Sequence, residues 1–385
     1  MKRAVLFAGL VGLLIAAPAR PCSLCEGNSY QTPTFRQEAA LPTARVILHG
    51  TIADPRTAGV AGETDFHIKT VLRSDPAIKG LTKIVLPRYL PSDKKDPPHY
   101  VLFADVDGKK VDAYRGVPIK GKQASVDYLK KALSLKAADT VANLQFYFKH
   151  LEDADPEVAR DAFLEFAKAT DADIAKVAPK LDAAKLRGWL KSDKVPPYRL
   201  SVYALLLGAC GKDADAKSLR ALFGSNEERY LAAADGTLGG YIALKPKEGW
   251  ELARTVLADG RKSLPLRLSV LRTVRYFHGG KPKESREQVL KTMKTVLAQG
   301  ELADLAAEDL RKWQLWDLTA DVLKQYARKG FDSPLMRRAI VRYALCAPAK
   351  DKEAQAFVKA RRGDEKDVVE EVEEGLALER EASKK

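Results

Sequence analysis

The feature that most constrains this chain is a helical phrase that recurs between about residues 153 and 347. The sequence Arg-Leu-Ser-Val occurs at 199–202 and again at 267–270, each time beginning two residues after a proline. Proline is tolerated in the first turn of a helix, because the N–H it lacks is one that a helix start leaves unpaired. Apolar residues follow at helical spacing in both copies. The phrase therefore predicts helices that begin close to Pro197 and Pro265.

Looser copies of the phrase occur at 155–163 and 333–340. Aligned on a shared arginine, every copy has a small residue two places further on, which would let a neighbouring helix approach closely. The aligned arginines are Arg160, Arg199, Arg267 and Arg337. We expect them to bridge adjacent helix pairs or to bind carbonyl groups at helix ends.

The spacing of the arginines predicts two further, degenerate copies. Successive arginines lie 39, 68 and 70 residues apart, and the last two distances are about twice a unit of 34–35 residues. The candidates for the missing copies are 226–244 and 302–314. Helical pairs repeated at this interval cannot bury their apolar faces alone and must stack into a solenoid. The alternative is a non-repetitive helical bundle.

The segment 153–162 resembles the opening helix of the HEAT-repeat family. It has the sequence Asp-Ala-Asp-Pro-Glu-Val-Ala-Arg-Asp-Ala, and the resemblance covers roughly residues 139–361. It implies an α-solenoid of HEAT-like helical hairpins, which we place at 121–361. A solenoid offers a long curved surface rather than a water-excluding pocket. We therefore expect a binding or scaffold protein.

The first nineteen residues have the pattern of an export signal. Lys2 and Arg3 precede an apolar run at 5–16, and Ala17-Pro18-Ala19 supplies a small-x-small cleavage pattern. The apolar run is too short to span a bilayer stably. The sequence therefore predicts a signal peptide at 1–19, a mature chain in the periplasm or outside the cell, and no membrane span after cleavage. An uncleaved anchor is the alternative.

Residues 44–120 are predicted to form a small antiparallel β-barrel or sandwich. The segments 44–52, 64–72, 83–89, 99–106 and 110–114 have β-branched or alternating patterns. Asp107-Gly108 is the strongest short hairpin signal in the chain. With the helices that follow, the predicted fold class is α+β, with several domains.

The N-terminal region resembles the netrin-like module, the OB-type barrel also found in tissue inhibitors of metalloproteinases. The matching features are the pair Cys22 and Cys25, a first strand at 44–50 and the segment 66–72. In those inhibitors the amino group of the first cysteine chelates a protease metal. Here two residues would precede Cys22, and the later barrel cysteines of the family are absent. The resemblance thus implies a barrel and does not imply inhibition.

Cys22 and Cys25 are the most specific chemical feature of the sequence. In an oxidising compartment they form a candidate disulfide within the segment 20–43, while metal binding and redox exchange remain alternatives. A structural zinc site needs four ligands, and no second close pair of cysteines or histidines follows. Cys210 and Cys346 are expected to be buried thiols.

The remaining sequence contains no catalytic or cofactor motif, so the sequence-based expectation is a non-enzyme without cofactor or metal. Basic residues predict a possible partner-binding stripe on one face of the helices: Arg272, Arg275, Arg338 and Arg342. The net charge of +14 suggests affinity for an anionic polymer or lipid surface, or simply solubility. An exported chain is not expected to bind nucleic acid.

The expected function is an exported, non-catalytic scaffold that binds a protein partner in the cell envelope. Two alternatives stay open: a regulator or inhibitor of a partner enzyme that acts through the N-terminal cysteine segment and barrel, and a thiol–disulfide protein. The final segment, 362–385, reads as a charged helix that caps the solenoid, or as an acidic tail that binds a partner.

Overall fold

The computed structural model describes residues 32–57, 62–329 and 333–382. The predicted signal peptide, its cleavage site and the pair Cys22 and Cys25 lie outside the described residues.

The N-terminal part is a five-stranded antiparallel sheet with the strand order β3-β2-β1-β4-β5. The strands are β1 Val46–Arg56, β2 Glu63–Arg73, β3 Lys83–Leu86, β4 His99–Asp107 and β5 Lys110–Ile119. All five predicted strands are confirmed. Strands β4 and β5 are joined at the predicted hairpin, where Gly108 has a positive φ of 59° that suits glycine.

The sheet is open, so the prediction of a closed barrel is wrong. The outer strands β3 and β5 do not pair with each other among the described residues. One face of the sheet, with Ile47 and Phe103, packs instead against helical residues such as Tyr128 and Leu129. Because helices cover this apolar face, the sheet does not have to close on itself to bury it.

The two faces of the sheet belong to different hydrophobic cores. Side chains alternate along a strand, so Ile47 and Phe103 point to the helices while Leu48 and Leu102 point to the other face. There they pack with Phe66 and β3 residues into a smaller core. The helix-side core continues as far as Ala233. Residues before and after position 120 therefore share this core.

The described residues contain eighteen α-helices. Their bounds are α1 Phe35–Ala39, α2 Gln123–Ser134, α3 Thr140–Phe148, α4 Pro156–Lys168, α5 Asp171–Val177, α6 Ala183–Lys191, α7 Pro197–Cys210, α8 Asp213–Phe223, α9 Glu228–Leu231, α10 Ala234–Leu244, α11 Pro246–Ala258, α12 Leu264–Gly280, α13 Pro282–Leu297, α14 Ala303–Lys312, α15 Thr319–Leu323, α16 Pro334–Cys346, α17 Lys352–Asp364 and α18 Lys366–Ala382.

The helices start where the proline phrase predicts them. Proline occupies the first or second position of α4, α7, α12 and α16. Helices α10 and α14 lie within the windows 226–244 and 302–314. Several side-chain contacts join residues 34 positions apart, among them Ser201 with Asp235 and Arg275 with Asp309. The spacing in the sequence thus corresponds to contacts between helices one repeat interval apart, α7 with α10 and α12 with α14.

Helices α7 and α10 approach each other unusually closely. A Cβ atom built on Gly236 would lie 2.0 Å from the carbonyl oxygen of Ser201, and one on Gly240 would lie 2.3 Å from that of Ala204. Such distances leave no room for any side chain. Ser201 is the small residue of the helical phrase, and at this position the predicted close approach is confirmed.

The last helix, α18, packs against α16 and α17. It buries Val369, Val372 and Leu376 and exposes most of its acidic side chains. The prediction of a terminal helix is confirmed. Among the described residues, no helix is both long enough and apolar enough to cross a membrane.

Candidate functional site at the junction of residues 32–39 and helix α4

The four arginines of the predicted stripe lie on α12 and α16, and each is paired with a carboxylate of a neighbouring helix. The pairs are Arg272 with Asp235 at 2.8 Å, Arg275 with Asp309 at 2.8 Å, Arg338 with Glu371 at 2.9 Å and Arg342 with Glu308 at 2.9 Å. Their side chains are 30–38% exposed. The arginines therefore connect helices that are neighbours in space, α12 with α10 and α14 and α16 with α14 and α18, and their charge is largely compensated within the chain.

The aligned arginines of the helical phrase divide into two groups. Arg199 donates to the carbonyl of Leu151 at 2.6 Å and pairs with Glu152, and Arg267 donates to the carbonyl of Lys262 and pairs with Glu301. For these two the predicted bridging and carbonyl binding are confirmed. Arg337 lies 3.9 Å from Glu365, whereas Arg160 pairs with Glu157 of its own helix.

The described cysteines are free and only partly buried. Cys210 and Cys346 pack against the helical cores without being fully enclosed. Burial raises the pKa of the Cys210 thiol to about 11, so that this thiol is protonated at neutral pH.

The most elaborate polar site lies where residues 32–39 meet α4. Helix α1 is started by a capping box, in which Thr34 accepts from the backbone N–H of Gln37 and the Gln37 side chain accepts from the backbone N–H of Thr34. The same Thr34 hydroxyl donates to Glu165 Oε1 at 2.6 Å. The local turn that forms α1 therefore also presents Thr34 to α4.

Two carboxylates of α4 hold this segment. Glu165 accepts from Arg36 at 2.7 Å as well as from Thr34. Asp161, one turn earlier, accepts from the backbone N–H of Phe35 at 2.7 Å and from the hydroxyl of Tyr128 at 2.5 Å. Each carboxylate is thus bonded to the segment, and we call this set of contacts the anchor.

Asp161 is fully enclosed, and burial raises the pKa of its carboxyl to about 7. The hydrogen bonds from Tyr128 and Phe35 act in the opposite direction, since they stabilise the charged form. The anchor therefore contains a carboxyl group that changes charge near neutral pH.

A cavity of about 180 Å³ adjoins the anchor. It is lined by the anchor residues Arg36 and Glu165 and by Asn143 and Tyr147 of α3. The Tyr147 hydroxyl is buried and has no hydrogen-bond partner among the described residues, and neither has Oδ1 of Asn143. Burial, and then the charge of Glu165, raise the pKa of Tyr147, so that its hydroxyl keeps its proton.

The sequence interpretation missed this site, although a signal was present. Asp161 and Glu165 are four residues apart on α4 and so share one face of the helix. That face also carries buried apolar residues such as Val158 and Ala162. Two carboxylates inside an apolar face need buried partners. The pattern therefore predicts a buried polar contact at this face, but it does not indicate which segment of the chain provides the partners.

A second acidic cluster lies on the sheet. Ligand atoms of Asp54, Asp65 and His67 lie within 4.8 Å of one another. Both carboxylate oxygens of Asp65 are already bonded, one to Arg56 at 2.7 Å and the other to Lys83 at 2.5 Å. These ion pairs lower the pKa of Asp65 and account for its burial without a metal ion.

Comparison with known proteins finds little similarity. No protein-family model matches the chain, and no curated protein matches it. Among solved structures, that of human deoxyhypusine hydroxylase in complex with glycerol is similar over 62% of this chain and 89% of that chain, with 16% identity and a TM-score of 0.27. That protein is an enzyme by name, which contradicts the expectation that this chain is a non-enzyme, and the expectation is withdrawn. A likeness at this TM-score assigns no fold and no activity.

Proposed function

We propose that this protein is an exported scaffold of the cell envelope that binds a protein partner through its N-terminal segment, residues 20–43, of which residues 34–36 are bonded to α4. The basic residues and apolar run at 2–16, with the cleavage pattern at 17–19, support export. The contacts at 34-residue intervals support HEAT-like hairpins as the scaffold.

The anchor is the observation that carries this proposal. Thr34 and Arg36 are bonded to Glu165, and the backbone of Phe35 is bonded to Asp161. These residues follow Cys25 by about ten positions along the chain. A segment that is fixed to a rigid element by buried, charge-assisted hydrogen bonds loses little further freedom when a partner binds it.

The pairing of the arginine stripe favours the N-terminal segment over the helical surface as the contact region. Arg272, Arg275, Arg338 and Arg342 already have carboxylate partners. A partner that bound them would have to displace those carboxylates, two of which, Asp235 and Asp309, are buried. A basic surface that relies on these residues would therefore bind weakly.

The test is a cross-linking pull-down from native envelope extract with residues 20–385 as bait. We expect one partner to be captured by the wild-type chain. Capture should be lost with Cys22→Ser/Cys25→Ser and weakened with Arg36→Ala, which removes one hydrogen-bonding side chain of the anchor. Arg261→Ala, at an exposed ion pair, is the matched control and should capture normally.

Other results would overturn the proposal. Capture that disappears at high salt but is unchanged in the cysteine and Arg36 variants would place binding on the helical surface. Capture of no protein by the wild-type chain would contradict a scaffold for a protein partner.

A further inference from the structure

The cavity beside the anchor has the character of a built site for a small ligand. It lies between residues of the N-terminal segment, α3 and α4, and the residues that matter are Arg36, Gln37, Asn143, Tyr147, Glu165 and Lys168. Sites for drug-sized molecules usually measure about 300–1,000 Å³. A volume of about 180 Å³ limits the ligand to a few non-hydrogen atoms.

Two buried polar atoms of the lining lack partners. Tyr147 is 0% exposed and Asn143 is 6% exposed, yet neither the Tyr147 hydroxyl nor Asn143 Oδ1 is hydrogen-bonded among the described residues. Asn143 is held in its orientation, because its Nδ2 donates to the carbonyl of Lys136 at 2.7 Å. Buried polar groups are nearly always satisfied, since leaving them unpaired destabilises the fold. A bound molecule could satisfy both atoms if it offered an acceptor to the Tyr147 hydroxyl and a donor to Asn143 Oδ1.

Lys168 supplies a cation that is hydrogen-bonded to no carboxylate among the described residues. Its Nζ donates to the carbonyl of Thr32 at 2.6 Å and to Gln37 Oε1 at 2.7 Å, and both acceptors are neutral. An ammonium has three N–H donors, so one remains. Burial lowers the pKa of Lys168, because removing water from an ammonium group disfavours its charged form.

The carboxylates that face the cavity are already engaged. Glu165 is bonded to Arg36 and Thr34. Asp173 accepts from the Thr170 hydroxyl at 2.8 Å and lies 3.5 Å from Lys176. Among the other polar groups of the lining, Tyr147 and Lys168 offer donors and Asn143 offers an acceptor.

We propose that this cavity binds a small carboxylate that carries a hydroxyl or amino group beside the carboxyl group. The carboxylate accepts from the Tyr147 hydroxyl and from Lys168, and the neighbouring hydroxyl or amino group donates to Asn143 Oδ1. The ligand would then contact α3, α4 and the N-terminal segment at once, so that binding strengthens the attachment of that segment. Binding of this ligand does not require that the chain also binds a protein partner.

The experiment is isothermal titration calorimetry of residues 20–385 with lactate and with alanine, which separate the hydroxyl and amino forms. Lactamide, which replaces the carboxylate by a neutral amide, and acetate, which lacks the neighbouring donor, are the matched controls. We expect lactate or alanine to bind, acetate to bind more weakly, and lactamide not to bind.

Two variants locate the binding. Tyr147→Phe removes only a hydroxyl that makes no hydrogen bond among the described residues, so it should fold normally and weaken binding roughly tenfold, the value of one hydrogen bond to a charged group. Tyr343→Phe removes a buried hydroxyl that donates to the Leu315 carbonyl, far along the chain, and should leave affinity unchanged. Absence of binding by lactate and alanine at millimolar concentration would overturn the proposal. Equal affinity for lactamide, or an unchanged affinity in Tyr147→Phe, would do the same.

Discussion

The backbone N–H of Phe35 donates a hydrogen bond to Asp161 Oδ1 at 2.7 Å, across 126 residues of sequence. Asp161 also accepts from Tyr128 of α2, so that one buried carboxylate joins the N-terminal segment, α2 and α4. The contact of residues 32–39 with α2 and α4 therefore contains a buried carboxylate among apolar residues. We expect this side chain to contribute measurably to the stability of the contact.

Replacing Asp161 by alanine should destabilise the protein by about 2–4 kcal/mol. The substitution leaves the Phe35 N–H and the Tyr128 hydroxyl buried without an acceptor, and each such group costs about 1–3 kcal/mol. Urea unfolding measures the change as a lower midpoint at constant slope. Asp112→Ala, at an exposed position of β5 and with no side-chain partner in the part of the chain that the structure describes, should change the free energy of unfolding by less than about 0.5 kcal/mol. Equal effects of the two substitutions would show that the anchor is energetically unimportant.

Stability should decrease as the pH rises through the range in which Asp161 titrates. Burial raises the folded-state pKa of Asp161 to about 7 from 3.8, so the folded protein keeps a proton that the unfolded chain has lost. The resulting stabilisation is present at low pH and is lost between about pH 4 and pH 7, by at most about 1.4 kcal/mol per pH unit.

Asp161→Asn isolates this titration, because the amide has no proton to lose. We expect the free energy of unfolding of the wild type, relative to that of Asp161→Asn, to fall between pH 4 and pH 7 and to stay level above pH 8. A difference that is independent of pH over this range would be inconsistent with a raised pKa at Asp161.

The pair Arg275 and Asp309 should contribute measurably to stability. Asp309 is buried, and burial raises the pKa of its carboxyl while Arg275 opposes this effect. Arg275→Ala would leave that carboxylate without its partner, at a cost of about 2 kcal/mol, less than for a fully buried pair because Arg275 is partly exposed. Urea unfolding of both single variants and the double variant gives the coupling, expected to exceed about 0.5 kcal/mol.

An exposed ion pair provides the control for the comparison of the Arg275 and Asp309 variants. Arg261 is 92% exposed and pairs with Asp259 in a loop. Because water and salt screen such a pair, Arg261→Ala should leave the free energy of unfolding almost unchanged. Additive effects of the Arg275 and Asp309 substitutions would indicate that the pair adds nothing beyond its separate side chains.

Gly236→Ala should separate α7 from α10. The added Cβ would lie 2.0 Å from the Ser201 carbonyl oxygen, so the helices must move apart at a cost of about 1–3 kcal/mol. Gly188→Ala is the matched control, because a Cβ atom built on Gly188 of α6 would meet none of the described atoms within 4 Å apart from the backbone of its own helix. There alanine should stabilise the helix by about 0.5–1 kcal/mol. Thermal unfolding of the two variants should therefore shift in opposite directions.

Several features were predictable because they depend on local physics. The Asp107-Gly108 hairpin follows from the positive φ that glycine tolerates, and the helix starts at Pro156, Pro197 and Pro334 follow from the fixed φ and missing N–H of proline. The windows for α10 and α14 follow from the interval between arginines. Each of these inferences needs only residues that are close together, or a period that recurs.

Other features were not predictable because they depend on distant partners. The sequence shows that Arg272 and Arg275 are basic, but it does not show that Asp235 and Asp309 lie beside them. The prediction placed these arginines on an open binding surface, whereas in the structure they form ion pairs between helices. The anchor was missed for the same reason, since its two halves are more than a hundred residues apart.

The order and type of the strands and helices follow from local sequence patterns, since periodicity, turn residues and proline placement act over a few residues at a time. Whether the sheet closes and which charges are compensated depend on how the elements pack together. The sheet stays open because the face that carries Phe103 is covered by helical residues such as Leu129. The arginines and the anchor carboxylates acquire their roles from contacts between elements. Such contacts depend on the packing of the whole chain, which no local pattern encodes.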